Sequence, residues 1–126
     1  MTIPQDRSYS KDHEWAQLDG NRIKVGITDY AQDALGDVVF VQLPAIGSAV
    51  TEGESFAEVE STKSVSDIYS PASGTVVEVN TSLEAQPELV NTSPYENGWI
   101  AVIELSGDFS SLDLMSAEDY TTLTQA

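Results

Sequence analysis

The stretch VTEGESFAEVESTKSVSDIYSPASGTVVEVN, Val50 to Asn80, decides the fold. Phe56, Val59, Val65, Ile68, Val76, Val77 and Val79 fall in short β-prone runs. Gly53, the segment Ser61–Ser64, Pro71 and Gly74 punctuate them, so the pattern predicts strands a few residues long joined by tight turns. On the amino-terminal side, DVVFVQL (Asp37–Leu43) reads as a buried strand broken by Pro44 and Gly47. On the other side, GWIAVIEL (Gly98–Leu105) is the last clear strand.

Further out, Glu14–Leu18 and Arg22–Gly26 form a hairpin pattern around Asp19-Gly20-Asn21. Asp29–Leu35 reads as a short helix, with Asp29 as its cap, Gln32 three residues on and Gly36 as its stop. Thr81–Asn97 is polar, carries Pro87 and Pro94, and is expected to be irregular. Ser116 followed by Asp119 starts a final helix over Ser116–Leu123. Many short strands with frequent turns predict an all-β sandwich or barrel with small helices at its ends.

The chain has 126 residues, 40% of them hydrophobic, which suits one domain with a packed core. No run of about 18 apolar residues is present, and Met1–Ser10 lacks the apolar stretch of a signal peptide. There is no cysteine, which excludes disulfides, thiolate metal sites and a cysteine nucleophile. The net charge is −16. Residues 1–24 carry four acids and four cations, whereas residues 25–126 carry 17 acids and one cation, Lys63. Such a field disfavours nucleic acid and anionic lipid and favours partners with basic surfaces.

Enzyme chemistry is hard to assemble from these residues. His13 is the one histidine, no nucleophile elbow accompanies it, and there is no Walker loop, GxGxxG or DxDxDG. His13 beside Glu14 and Trp15 reads by default as a structural histidine, and Trp15 and Trp99 as core residues. Lys63 has two readings. It is an ordinary surface lysine, or it is the amine at a hairpin tip, Ser61-Thr62-Lys63-Ser64, that a second enzyme acylates to root a swinging arm.

The segments VGITDYAQDALGDVVFVQLP (Val25–Pro44), GESFAEVESTKSVSDIYSPASGTVVEVN (Gly53–Asn80) and PELVNTSPYENGWI (Pro87–Ile100) resemble the H-protein family of the glycine cleavage system. DHEW (Asp12–Trp15) and MSAEDY (Met115–Tyr120) are similar to the two ends of that family, so the resemblance runs from about Tyr9 to Leu123. It implies a barrel-sandwich hybrid like lipoyl and biotinyl domains, with short helices near residues 29–35 and 116–123, as one lipoyl-carrier domain over 1–126. It implies a carrier and not an enzyme. Lys63, within ESTKSVSD, matches the lysine that bears lipoate as a covalent amide. Thr62 and Ser64 replace the methionines that flank a biotinyl lysine.

The family's glycine decarboxylase (P protein) places an aminomethyl group on the arm. The tetrahydrofolate-dependent aminomethyltransferase (T protein) removes it, and dihydrolipoamide dehydrogenase (L protein) reoxidises the arm. A lipoate ligase or an octanoyl or lipoyl transferase supplies the group. Glu14 and Asp67 match acids that hold the loaded amine in a water-excluding cleft, where an unpaired charge is costly. Two positions depart from some members: Tyr30 where they have histidine, and Asp12 where they have serine. A monomer in the bacterial cytoplasm, or a mature organellar form without its transit peptide, is expected. The alternatives are a relay that donates lipoyl groups to other apoproteins, and an unmodified acidic interaction module.

Overall fold

The computed structural model describes residues 2–125. Its frame is two antiparallel sheets. The first orders its strands β1 (Ser8–Tyr9), β2 (Glu14–Asp19), β3 (Arg22–Ile27), β9 (Ala101–Leu105), β8 (Gly74–Val79) and β5 (Ala49–Val50). The second orders β4 (Val38–Gln42), β6 (Ser55–Ser61) and β7 (Val65–Tyr69). Ile27, Val41, Val59, Ile68 and Val76, drawn from both sheets, meet Ile100 in the main core, while Ile23, Val25 and Ile103 of the first sheet pack in a second cluster. Each such side chain contributes about 1.5–3 kcal/mol on burial, and a sandwich interior of this kind fixes strand register. The fold is therefore the expected all-β architecture with short helices.

The β2–β3 hairpin turns at Gly20, whose φ of 66° is left-handed, with Asp19 paired to Arg22. Helix α1 spans Asp29–Leu35 as expected, but its cap is Thr28 and not Asp29. Thr28 is extended, and its hydroxyl accepts from the Ala31 amide at 3.2 Å. Asp29 is left in the first turn, where its charge suits the helix dipole and its carboxylate accepts from Gln32 Nε2 at 2.7 Å. Gly36 ends the helix at φ 82°.

Two other expectations are corrected. Strand β4 is only half buried: Val38 and Val41 point inward, whereas Val39 and Phe40 are exposed. The polar segment Thr81–Asn97 is not irregular throughout. It holds two single helical turns, α2 (Ser82–Ala85) and α3 (Leu89–Thr92), each sending one residue, Leu83 and Val90, into the main core. A four-residue helix is too short for a helical period to register in sequence.

The last helix, α4, spans Ala117–Gln125, two residues further than expected, and Ser116 Oγ accepts from the Asp119 amide at 3.2 Å. It closes the molecule against its beginning. Tyr9 and Met115 exchange backbone hydrogen bonds, and the Tyr9 and Tyr120 rings stack at 4.7 Å. Trp15 completes this cluster, its ring covered by the Arg7 guanidinium at 4.7 Å.

Candidate functional site

Lys63 occupies the tip of the β6–β7 hairpin, where Glu60 pairs with Val65. The turn is held by its own serine. Ser61 Oγ accepts from the Lys63 and Ser64 amides at 3.2 and 3.1 Å, and the Ser61 amide donates to Ser64 O at 2.8 Å. The Thr62 amide donates to Asp37 O at 3.0 Å and ties the tip to the start of β4. The lysine is exposed and, among the described residues, forms no ion pair within 4 Å.

Its aliphatic stem lies over Gly36. A Cβ at that position would stand 3.2 Å from Lys63 Cε, so the absence of a side chain there leaves room for the stem. Asn91 of α3 anchors the spot. Its amide group donates to Gly36 O and to Gln32 Oε1, both at 2.9 Å, and its oxygen accepts from the Val38 amide at 2.8 Å. Neither Gly36 nor Asn91 was marked as a site residue by sequence reasoning, because their roles depend on long-range neighbours.

Under the hairpin, between α1 and the β6–β7 pair, runs a cleft of about 200 Å³. Its walls are mostly apolar, from Ile27, Ala31, Leu35, Val59 and Ile68. Asp12, Glu14, Tyr30 and Asp67 also line it, so both predicted acids meet in one cavity. They differ in character. Glu14 is only 3% exposed, far from an ordinary surface acid. Ser10 Oγ donates to its carboxylate at 2.6 Å. Burial pushes Glu14 up to about 7; the Ser10 bond opposes this, the Asp12 charge adds to it, and the Tyr69 amide opposes it. Asp67 is exposed on edge strand β7 at the rim, with one carboxylate oxygen accepting from Ser55 Oγ at 3.1 Å.

His13 has a structural role in the cleft wall. Its φ is 70°, an uncommon conformation for a residue with a side chain. Three contacts hold it there. Its Nδ1 meets Tyr120 Oη at 2.8 Å, its ring stacks on Tyr30 at 4.5 Å, and its carbonyl accepts from the Thr28 amide. Burial lowers its pKa, against the Asp12 charge, and so favours the neutral ring. Tyr30 therefore forms part of the wall through the His13 stack, and Asp12 acts on the cleft through its charge on Glu14.

The arrangement is a reachable amine, a bare track past Gly36, an apolar cleft and a buried acid. It accommodates a flexible apolar arm with a cationic end, because the walls remove water and the acids supply acceptors. Among the described residues no group of three metal-ligating side chains exists.

The family model for the glycine cleavage H-protein matches residues 7–126. A glycine cleavage system H protein of Coprothermobacter proteolyticus is 58% identical over 122 residues, covering 95% of both chains. One from Mycobacterium tuberculosis is 56% identical over 131 residues, covering 98% of both. The crystal structure of a glycine cleavage system H protein from Mycobacterium marinum superimposes with a TM-score of 0.90 at 45% identity, covering 98% of this chain and all of that one.

Proposed function

The chain belongs to the glycine cleavage H-protein family, and from that premise we propose that Lys63 is its lipoyl-attachment residue and that Glu14 and Asp67 hold the carried amine. As a member of that family the protein is a lipoyl carrier in glycine cleavage, not a catalyst, and it works with the other components of that system. The observation that carries the residue assignment is an exposed Lys63 at the tip of the hairpin whose strands, through Val59, Ser66, Asp67 and Ile68, wall a cleft that also holds the buried Glu14.

When bound, the lipoyl group supplies a dithiol–disulfide couple and a sulfur on which a one-carbon amine travels. The chain supplies the rest. Lys63 Nζ provides the amide root, and Ser61 holds the turn so that the root has one direction. Gly36 lets the stem lie flat toward α1. The cleft walls keep water from the cargo. Glu14 is poised between its acid and its carboxylate near neutral pH. A cationic amine entering beside it favours the charged form, so the carboxylic acid releases its proton to solvent and the resulting carboxylate accepts the amine's hydrogen bonds. Asp67 offers a second acceptor at the mouth once its carboxylate turns from Ser55.

The partners are the glycine decarboxylase, the tetrahydrofolate-dependent aminomethyltransferase, dihydrolipoamide dehydrogenase and the enzyme that attaches the lipoyl group. The protein serves them as a single monomeric domain in the bacterial cytoplasm, a reading supported by its bacterial relatives. The test is intact mass after incubation with lipoate, ATP and a lipoate ligase. One lipoyl addition that maps to Lys63 and vanishes in Lys63→Arg is expected. A wild-type chain that stays unmodified while the ligase acts on another domain refutes the assignment.

A further inference from the structure

On the three-stranded sheet Val39 at 52%, Phe40 at 53% and Val65 at 60% stand exposed, with Tyr69 at 37% further along β7. The register explains their grouping. Phe40 pairs with Glu60, and Glu60 with Val65, so Phe40 and Val65 flank Glu60 on the outer face. Val39 lies beside Phe40 at an irregularity in the β4–β6 ladder. Strands about 4.8 Å apart put Phe40 and Val65 roughly 10 Å from each other, and Val65 is two residues, about 7 Å, from Lys63. Glu60 therefore lies within the patch, with Glu58, which pairs with Asp67, next along the same face of β6 and Asp37 just before β4.

From this juxtaposition we infer that the Val39–Phe40–Val65 face is the docking surface for the enzyme that acylates Lys63, an enzyme that presents apolar contacts interspersed with lysine and arginine. The inference rests on Lys63 being the attachment residue. The occupant follows from reach. Enzymes that act at the far end of a long arm need not touch its root. The attaching enzyme must bring Lys63 Nζ itself into its active site. A standard footprint of about 800 Å² per partner is a disc of roughly 16 Å radius, and centred on Lys63 it covers all three side chains. Exposed apolar side chains with Glu60 between them and further acids around them suit a partner that combines apolar contacts with lysine and arginine, and Lys63 is the sole cation of residues 25–126.

The experiment measures initial lipoylation rates of the full-length apoprotein by intact mass, with a lipoate ligase, lipoate and ATP, over a range of apoprotein concentrations. Phe40→Thr with Val65→Thr removes the apolar face but keeps β-branched residues in the strands. The double variant raises KM about ten-fold and leaves kcat within about two-fold, as expected for two side chains near an interface centre. Val65→Thr, nearly isosteric and safe for folding, raises KM about three-fold. Wild-type KM rises with salt. Unchanged KM in both variants, with wild type modified at Lys63, overturns the docking surface. A wild-type dimer that the double variant dissolves without a change in KM assigns the face to a second copy and also overturns it. A wild type that is not modified at Lys63 overturns the underlying assignment instead.

Discussion

Replacing Glu14 by glutamine removes one titration and leaves the shape of the side chain. Glu14 titrates at about 7 in the folded chain, against an ordinary value of 4.5. The folded state therefore holds a proton that the unfolded state has released between those values, and stability falls as pH rises through that window. Relative to Glu14→Gln, which has no such slope, the wild type loses about 2–3 kcal/mol between pH 5 and pH 8. His13 and the other carboxylates are present in both proteins and cancel in the difference. Urea unfolding of both proteins at the two pH values reads the effect. The midpoint gap widens in favour of the variant by about 1–2 M urea at pH 8. Parallel pH profiles, within about 0.5 kcal/mol, would refute the idea that Glu14 is a buried acid titrating near neutrality. In the lipoylated and loaded protein, the same substitution removes the charged acceptor, and the carried amine is released to water faster than from the wild type.

Gly26 faces Trp15 across the β2–β3 ladder, and a Cβ there would stand 2.6 Å from the indole. Trp15 is fully buried and its Nε1 donates to Pro94 O at 3.0 Å, so it cannot step aside. Gly26→Ala costs about 3 kcal/mol by urea unfolding. Tyr120→Phe deletes the hydroxyl shared by His13 Nδ1 at 2.8 Å and Thr28 Oγ1 at 2.7 Å. Removing it costs about 2 kcal/mol, with the initial lipoylation rate unchanged because the hairpin tip is not involved.

The strands were legible because their signals are local, whereas Lys63 was singled out only through the family motif around it. Alternation and turn residues mark the β6–β7 hairpin, but a lysine in its turn, Ser61–Ser64, reads equally as an ordinary surface lysine. Glu14 was legible through resemblance, but its burial was not, since that depends on Ser10, α1 and β7 closing around it. The exposure of Val39 and Phe40 ran against the reading of a uniformly buried run. An irregularity in the ladder turns the strand there, and no local residue signals it. Asn91 and Gly36 act through backbone groups more than 50 residues apart in sequence, which periodicity cannot reach.

The pairing of Tyr9 with Met115 and the Tyr9–Tyr120 stack have a consequence for synthesis. A ribosome makes the first of these residues long before the last. At about 5–20 residues per second, the early strand waits on the order of 5–20 s for the segment that seats it. During that wait the β6–β7 hairpin and its lysine have already emerged. The Tyr120 latch behind His13 has not, so the wall of the cleft is completed last. An arm attached to the nascent chain would have no finished shelter until the final helix leaves the tunnel.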